Sequence, residues 1–435
     1  MTAPTAARVA ALATLRAVRE GELAGRAFEA ASHRLDVRDR AWAQELAYGT
    51  LRLRGRLDHM LAGLSRRPLE RLDPDILEIL RLGAYQLTAM DGVPAYAAVS
   101  QAVELAKGSA ARGAAGFVNG VLQSLRRAGM TSTFPDFAAD PVAHLSTWGS
   151  HPRWLVERWV DRWGADAARR LVEANNKRPE LYLRGLAGGS DVIRLLAEAG
   201  VDVATVPGAP GALHVRAGPV SAALAAAPVI VQDPAAGLVV TYAGAVDGLV
   251  VADLAAAPGG KALALADRAA FVVASDVSAG RLARARENLE RLTAFGPVPV
   301  GLLVADGRRP ALKPVDVVLL DAPCTGTGTL RRHPDGRWRI QPRDMVALVR
   351  LQAELLDAAA TLVRPGGLLL YSTCSLEREE NEEQVKRFLA GQRQFEVEPG
   401  PALAGGVIRG DGMLEVLPHE HGWDGAFAAR LRRRG

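Results

Sequence analysis

Only two of the 435 residues are cysteines, and each follows a strand-like apolar run at a small, polar turn. Cys374 sits in LLLYSTCSLEREENEE (368–383), where the run ends in Ser372-Thr373-Cys374-Ser375 and passes into an acidic stretch expected to be helical. Cys324 sits in DAPCTGTGTLRRHPDGRW (321–338), after the apolar VDVVLL. A solitary cysteine is often no more than a small buried hydrophobe. Two at the ends of two strands, with none elsewhere, point instead to a ligand-facing pair. They cannot build a disulfide framework, and no CxxC or Cys/His cluster has metal-ligand spacing, so no metal is expected. A thiolate is a good nucleophile. Its addition to carbon-6 of a pyrimidine makes carbon-5 enamine-like and able to attack an electrophilic methyl group; elimination of the thiol then restores the ring. Such chemistry needs a thiol, an acid near N3 of the base and a bound methyl donor. Cys374, Asp321 and the loop DLAAAPGGK can supply them.

That loop, in DLAAAPGGKALALA (253–266), carries small residues and Gly259-Gly260, which let backbone approach a ligand closely before a helix begins. It is neither GxGxxG nor a Walker loop, since Lys261 is followed by Ala262. Further strand-like runs end at Asp276 (FVVASD), Asp306 (VGLLVAD) and Asp321 (VDVVLLD). An acid after the second strand is where nucleoside-binding doubly wound folds hold a ribose diol. Any one of these acids could be a turn or cap residue. Three at the same end of successive strands favour a ligand site.

The elements that must position these groups follow from periodicity. Residues 1–130 repeat apolar positions at helical spacing in five segments, such as ARVAALATLRAVREG and PDILEILRLGAYQLTAM, with Gly or Pro between them. This predicts an all-α bundle. Residues 131–149 read as a linker, and 150–215 as a small α+β module with helices in SHPRWLVERWVDRWG and DAARRLVEANN and a strand in ELYLRGL. From 216 to 435 strands alternate with helices, which predicts an α/β domain with a doubly wound, Rossmann-like parallel sheet. The tail from Val407 holds two more strand-like pieces.

Charge separates the parts. Residues 1–130 hold 17 Arg and one Lys against 13 acids, a net +5 that equals the charge of the whole chain. With five lysines in all, the basic surface is guanidinium, suited to bidentate phosphate contacts and stacking on bases. Solvated helix faces explain the same excess equally well when it is taken alone. No apolar stretch reaches membrane-spanning length, and the N-terminus lacks a signal-peptide core. A cytoplasmic monomer without membrane contact is expected.

AAAPGGK, DAPCTGTG followed by RRHPD, and STCS followed by EREENE resemble the RNA cytosine-C5 methyltransferase family. ELAYGTLR, RLGAYQLTAMDGVPAYAAVSQAVELAK and GFVNGVLQSLRR resemble the NusB-like RNA-binding domain. The pairing is similar to the Sun/Fmu (RsmB) type and covers nearly the whole chain. The resemblance implies a methyltransferase sheet behind a NusB-like bundle, S-adenosylmethionine as donor, and a 16S ribosomal RNA cytosine as substrate. It implies Cys374 as nucleophile, Cys324 as release base, and Asp321 at the transfer site with Lys261 near donor or base. The donor would lie on Ala255, Ala256, Ala257, Pro258, Gly259, Gly260 and Lys261, with Asp276 on the ribose, Asp306 near the adenine, and Arg281 and Asp321 in the same binding set. Many members have DACAAPGGK where this chain has DLAAAPGGK, a swap between small or apolar residues that leaves the loop usable. Asn176-Lys177-Arg178-Pro179 and Leu181-Tyr182-Leu183-Arg184 resemble the small module that helps to grip RNA. Other readings are the same chemistry on transfer RNA, a non-catalytic RNA-binding or antitermination factor, and a nicotinamide-dependent oxidoreductase. The last lacks GxGxxG and leaves the cysteine pair unexplained.

Overall fold

A computed structural model describes residues 3–108, 113–129, 133–186 and 190–435. The chain divides into two units, residues 1–177 with 330–339, and residues 178–329 with 340–435.

The first unit is helical. Helices span Ala6–Arg19, Ala24–Ser32, Val37–Ala62, Pro74–Thr88, Ala95–Lys107 and Ala114–Ala128. The Ala24–Ser32 helix is too short and alanine-rich to stand out in the sequence. Starts are set locally. Asp36 accepts from Asp39 N, and Asp73 accepts from Asp75 N and Ile76 N just ahead of Pro74. Such caps satisfy amides that a helix leaves without intrahelical partners. Leu46, Leu57, Ile79, Leu80, Val118 and Leu122 fill the core at helical spacing. Where only a linker was expected, Pro141–Thr147 is a short helix capped by Asp140. Helices Arg153–Trp163 and Ala165–Asn176 complete the continuous part of the unit.

Residues 330–339 return to this unit from much later in the chain. Arg337, 1% exposed, donates from Nη1 to Arg52 O (2.9 Å), Ser150 O (3.2 Å) and Asn176 Oδ1 (2.7 Å), and from Nη2 to Asn175 O (2.6 Å). The Trp338 indole donates to Leu51 O at 2.8 Å. Residues directly after the DAPCTGTG motif thus complete the core of a helical unit.

The second unit holds two sheets. Strands β1 (Tyr182–Gly185), β2 (Asp202–Thr205), β3 (Ala212–Ala217) and β4 (Val229–Val231) form an antiparallel sheet in the order β2-β3-β1-β4. β4 lies beyond residue 215, so this sheet runs further along the chain than the α+β module read from the sequence.

The larger sheet uses β5 (Val250–Asp253), β6 (Phe271–Asp276), β7 (Val300–Val304), β8 (Val315–Asp321), β9 (Val363–Thr373), β10 (Phe395–Val397), β11 (Leu414–Val416) and β12 (Ala426–Arg433). Its order is β10-β12-β9-β8-β5-β6-β7, with β11 also paired to β12. The strands β5 to β9 run parallel to one another, and β12 is antiparallel to β9. This is the doubly wound α/β sheet expected from the alternating pattern. Buried residues cover both faces, Val251, Val272, Val317 and Leu370 on one and Ala252, Val318, Leu369 and Tyr371 on the other. That two-sided burial explains why the strands read as continuous apolar runs. The strand order reverses between β5 and β8, where open α/β sheets bind ligands outside the carboxyl ends. Among the described residues no helix is long and apolar enough to cross a membrane.

Candidate active site

Parallel pairing of β8 with β9 sets Asp321 opposite Ser372, so the loops that follow emerge side by side. Ala322 N donates to Ser372 O at 2.8 Å and Gly328 N to Cys374 O at 2.9 Å. The result is a pair of free thiols, Cys324 Sγ and Cys374 Sγ, 3.4 Å apart. The approach depends on glycine. A Cβ on Gly328 would stand 2.7 Å from both Cys374 O and Gly425 Cα, distances no side chain tolerates. Gly425 N closes the far side by donating to Gly328 O at 2.8 Å.

Asp321 faces this pair from the reversal point. Its Oδ2 accepts from Lys261 Nζ at 2.6 Å and its Oδ1 from Ser372 Oγ at 2.7 Å. The first of these bonds crosses from the first turn of the helix Gly260–Leu265, after β5, to the end of β8. Burial works against the Lys261 ammonium, but Asp321, by charge and hydrogen bond, holds its pKa above the usual lysine value. The hydrogen bond to Cys374, reinforced by burial, pushes the Cys324 thiol well above the ordinary range.

Beneath the thiols lies a carboxylate that sequence reading missed. The acidic stretch after Cys374 is not yet helix: residues 378–381 turn, and the helix runs Glu382–Gly391. Glu380 is fully buried. It accepts from Thr325 N and Gln352 Nε2, both at 2.9 Å, from Ser375 Oγ at 2.5 Å, and from Thr325 Oγ1. It therefore ties the Cys324 loop to the Cys374 loop. Burial raises its pKa while these donors pull it back. Asn381 adds a second tie, donating to Ser375 O at 2.9 Å and accepting from Thr373 Oγ1 at 2.5 Å. The only sequence signal was the adjacency of STCS to an acidic run, and an acidic run ordinarily marks a solvated helix face.

The loop Ala255–Lys261 is stitched to the end of β6. Ala256 N donates to Ser275 O at 2.8 Å, and Ala257 N to Asp276 Oδ2 at 3.3 Å. Gly259 has φ +98°, and a Cβ there would come within 2.7 Å of Ala285 Cβ, so the loop packs flat on the helix Ala279–Thr293 that follows β6. Asp276 is 2% exposed and also accepts from Ser278 N and Arg281 Nη2, both at 2.8 Å. A carboxylate can accept about four hydrogen bonds, so a diol shares these oxygens with Arg281 rather than meeting an empty group. Asp306 lies two residues past β7, more exposed than the others, forked onto Arg308. That hydrogen bonding lowers its pKa to about 2.

Asp253, at the end of β5, was not singled out in the sequence. It is 1% exposed, and its Oδ1 has no hydrogen-bond partner. Burial, then the charge of Asp321, raises its pKa to about 8. A loop of small residues, a carboxylate at the second strand end and an unpartnered acidic oxygen at the first fit a cationic, nucleoside-bearing donor. Thus Lys261, Asp321, Cys324 and Cys374 meet at the reversal point, while Asp276 with Arg281 and Asp306 line the neighbouring strand ends.

Residues 244–432 match the family model for 16S rRNA methyltransferase RsmB/F, residues 5–127 that of the NusB family, and residues 151–221 that of an RsmF/B-like ferredoxin-like domain. A probable ribosomal RNA small subunit methyltransferase B of Bacillus subtilis (strain 168) is 32% identical over 421 residues, 93% of each chain. A putative methyltransferase of Mycobacterium tuberculosis (strain CDC 1551 / Oshkosh) is 38% identical over 456 residues, 98% of this chain and 96% of its own. The crystal structure of PH0851 covers 100% of both chains at 27% identity, with a TM-score of 0.81.

Proposed function

Because the chain belongs to the RsmB/F family of 16S rRNA methyltransferases, we propose that it methylates carbon-5 of a cytosine in small-subunit ribosomal RNA through a covalent Cys374 adduct. The observation that carries this reading is the thiol pair, 3.4 Å apart, beside Asp321. S-adenosylmethionine is the donor and, when bound, supplies an electrophilic methyl group. Residues Ala255–Lys261 and Asp276 would hold it.

Cys374 attacks carbon-6 as a thiolate, and the ring electrons shift to carbon-5. Asp321 serves the N3 side of the base, its orientation fixed by Lys261 and Ser372. After methylation, carbon-5 must lose its proton before the carbon–sulfur bond can break and return the thiolate. Cys324 is the base for that step. In the free enzyme its thiol is held protonated, chiefly by its hydrogen bond with Cys374. Once Cys374 is bonded to carbon that cause is gone, and Cys324 ionises more readily. Its competence as a base therefore follows adduct formation.

The test is Cys324→Ala with small-subunit ribosomal RNA. It should trap the protein on RNA as an adduct that survives a denaturing gel and requires S-adenosylmethionine to form. Changing Cys374 to Ala as well should abolish the band. No band together with near-normal turnover would show that Cys324 only packs beneath the loop. Bisulfite sequencing of the RNA identifies the cytosine.

A further inference from the structure

The helical unit holds a groove of about 670 Å³ between the segment 64–76 and the helix Ala114–Ala128. Its rim carries Arg66, Arg67 and Arg71, all exposed. Among the described residues no ion pair engages any of the three. The acid on the rim, Asp73, has its Oδ1 committed to Asp75 N and Ile76 N at the start of a helix. The floor is apolar, with Leu72, Ile76 and the half-buried ring of Phe117. Gly113 and Gly120 line the groove, and a Cβ on either would meet nothing within 4 Å among the described residues.

A cationic rim over an aromatic floor matches one ligand chemistry well. Guanidiniums take phosphates, and a ring takes the face of an unstacked base. A duplex offers the phosphates but keeps its bases stacked, so the floor would go unused. The volume lies within the range of about 300–1,000 Å³ typical of small-ligand pockets, room for a splayed base and its sugar. We propose that this groove binds a single-stranded segment of the substrate RNA, with phosphates on Arg66, Arg67 and Arg71 and a base on Phe117. The proposal rests on the reading that RNA is the substrate, and it assigns a grip within the helical unit that makes no contribution to the chemistry.

The test uses full-length protein and a fluorescein-labelled, unstructured oligouridylate, followed by anisotropy at several salt concentrations. For single strands log K falls with log salt at about −0.7 per phosphate neutralised. Replacing Arg66, Arg67 and Arg71 with Ala should therefore flatten the slope by about 2 and weaken binding about a hundredfold at 0.1 M salt. Phe117→Leu keeps the apolar packing but removes the stacking face. It should weaken binding about five- to 150-fold and leave the slope unchanged. The same charge loss at Arg26, Arg34 and Arg38, exposed residues outside the groove, should do much less. Methylation of ribosomal RNA by the triple variant should show a raised KM for RNA at unchanged kcat. Unaltered affinity and slope in the triple variant would overturn the proposal, as would an equal loss in the control triple. A defect seen only on a ribonucleoprotein particle, and not on naked RNA, would assign the groove to a protein and also overturn it. A wild-type enzyme that makes no 5-methylcytosine would refute the functional reading, while the anisotropy would still decide the groove.

Discussion

Arg337→Ala should destabilise the helical unit severely, although the residue lies far along the chain from most of that unit. The guanidinium is 1% exposed and holds Arg52 O, Ser150 O, Asn175 O and Asn176 Oδ1. A buried acceptor stripped of its donor costs about 1–3 kcal/mol. Arg52 O also accepts from Ser150 Oγ at 2.8 Å, so three acceptors lose their donor, at roughly 3 kcal/mol even at the low end, against a typical total stability of about 5–15 kcal/mol. Burial, and then the charge of Arg52, pushes the Arg337 pKa well below the usual guanidinium value, so deleting the cation recovers some desolvation cost. An apolar replacement still leaves Ser150 O and Asn175 O without the guanidinium, whereas Arg52 O keeps its bond from Ser150 Oγ. Arg337→Lys should fall between, because one ammonium cannot span the sites that the two guanidinium nitrogens reach. Urea unfolding followed by tryptophan fluorescence reads this directly, since six of the seven tryptophans lie in the helical unit. An Arg337→Ala protein within about 1 kcal/mol of wild type would refute the reasoning, because the low end of the three-acceptor cost already exceeds that.

Further outcomes follow from the catalytic unit. Cys374→Ala should abolish 5-methylcytosine formation with donor binding retained, checked by mass spectrometry of digested RNA and by calorimetry. Asp276→Ala should weaken S-adenosylmethionine binding by about one to two decades, the equivalent of about 1.5–3 kcal/mol for hydrogen bonds to a charged group, as calorimetry would read. Asp253 keeps its proton in the folded chain up to about pH 8, whereas an unfolded chain releases it near pH 4. The folded state thus binds more protons across that window, and its stability falls as pH rises through it. Asp253→Asn should gain on wild type at pH 8 and not at pH 4.5; an equal gap at both pH values in urea titrations would contradict the shift. Gly328→Ala should lower kcat by displacing Cys374, with the donor Kd unchanged.

The candidate strand ends were legible in the sequence because their residue types are improbable by chance. Both cysteines, Asp321 and Lys261 stand at turns after apolar runs, and parallel pairing brings them together. Glu380 escaped for a physical reason: its burial depends on loops from two strands far apart in sequence closing over it, and an acidic run carries no local sign of that. Asp253 went unmarked because its protonation depends on how far Asp321 and the solvent lie from it. β10 is three residues long and leaves no period to read. The placement of Arg337 was hidden for the opposite reason. RRHPDGRW looks like a polar loop, and its hydrogen-bond acceptors come from residues more than 160 positions earlier.

The discontinuity of the helical unit has a consequence in time. Residues 1–177 are synthesised before the segment 330–339, so Ser150 O and Asn175 O first stand without the Arg337 guanidinium. Another 162 residues must be made before the segment 330–339 is complete. At about 5–20 residues per second that is a wait of roughly 8–32 s. Throughout it the bundle is present without its closing strap, and the strap arrives only after Cys324 and the strand before it have been synthesised. The helical unit is therefore finished late, in the same stretch of synthesis that lays down the Cys324 loop.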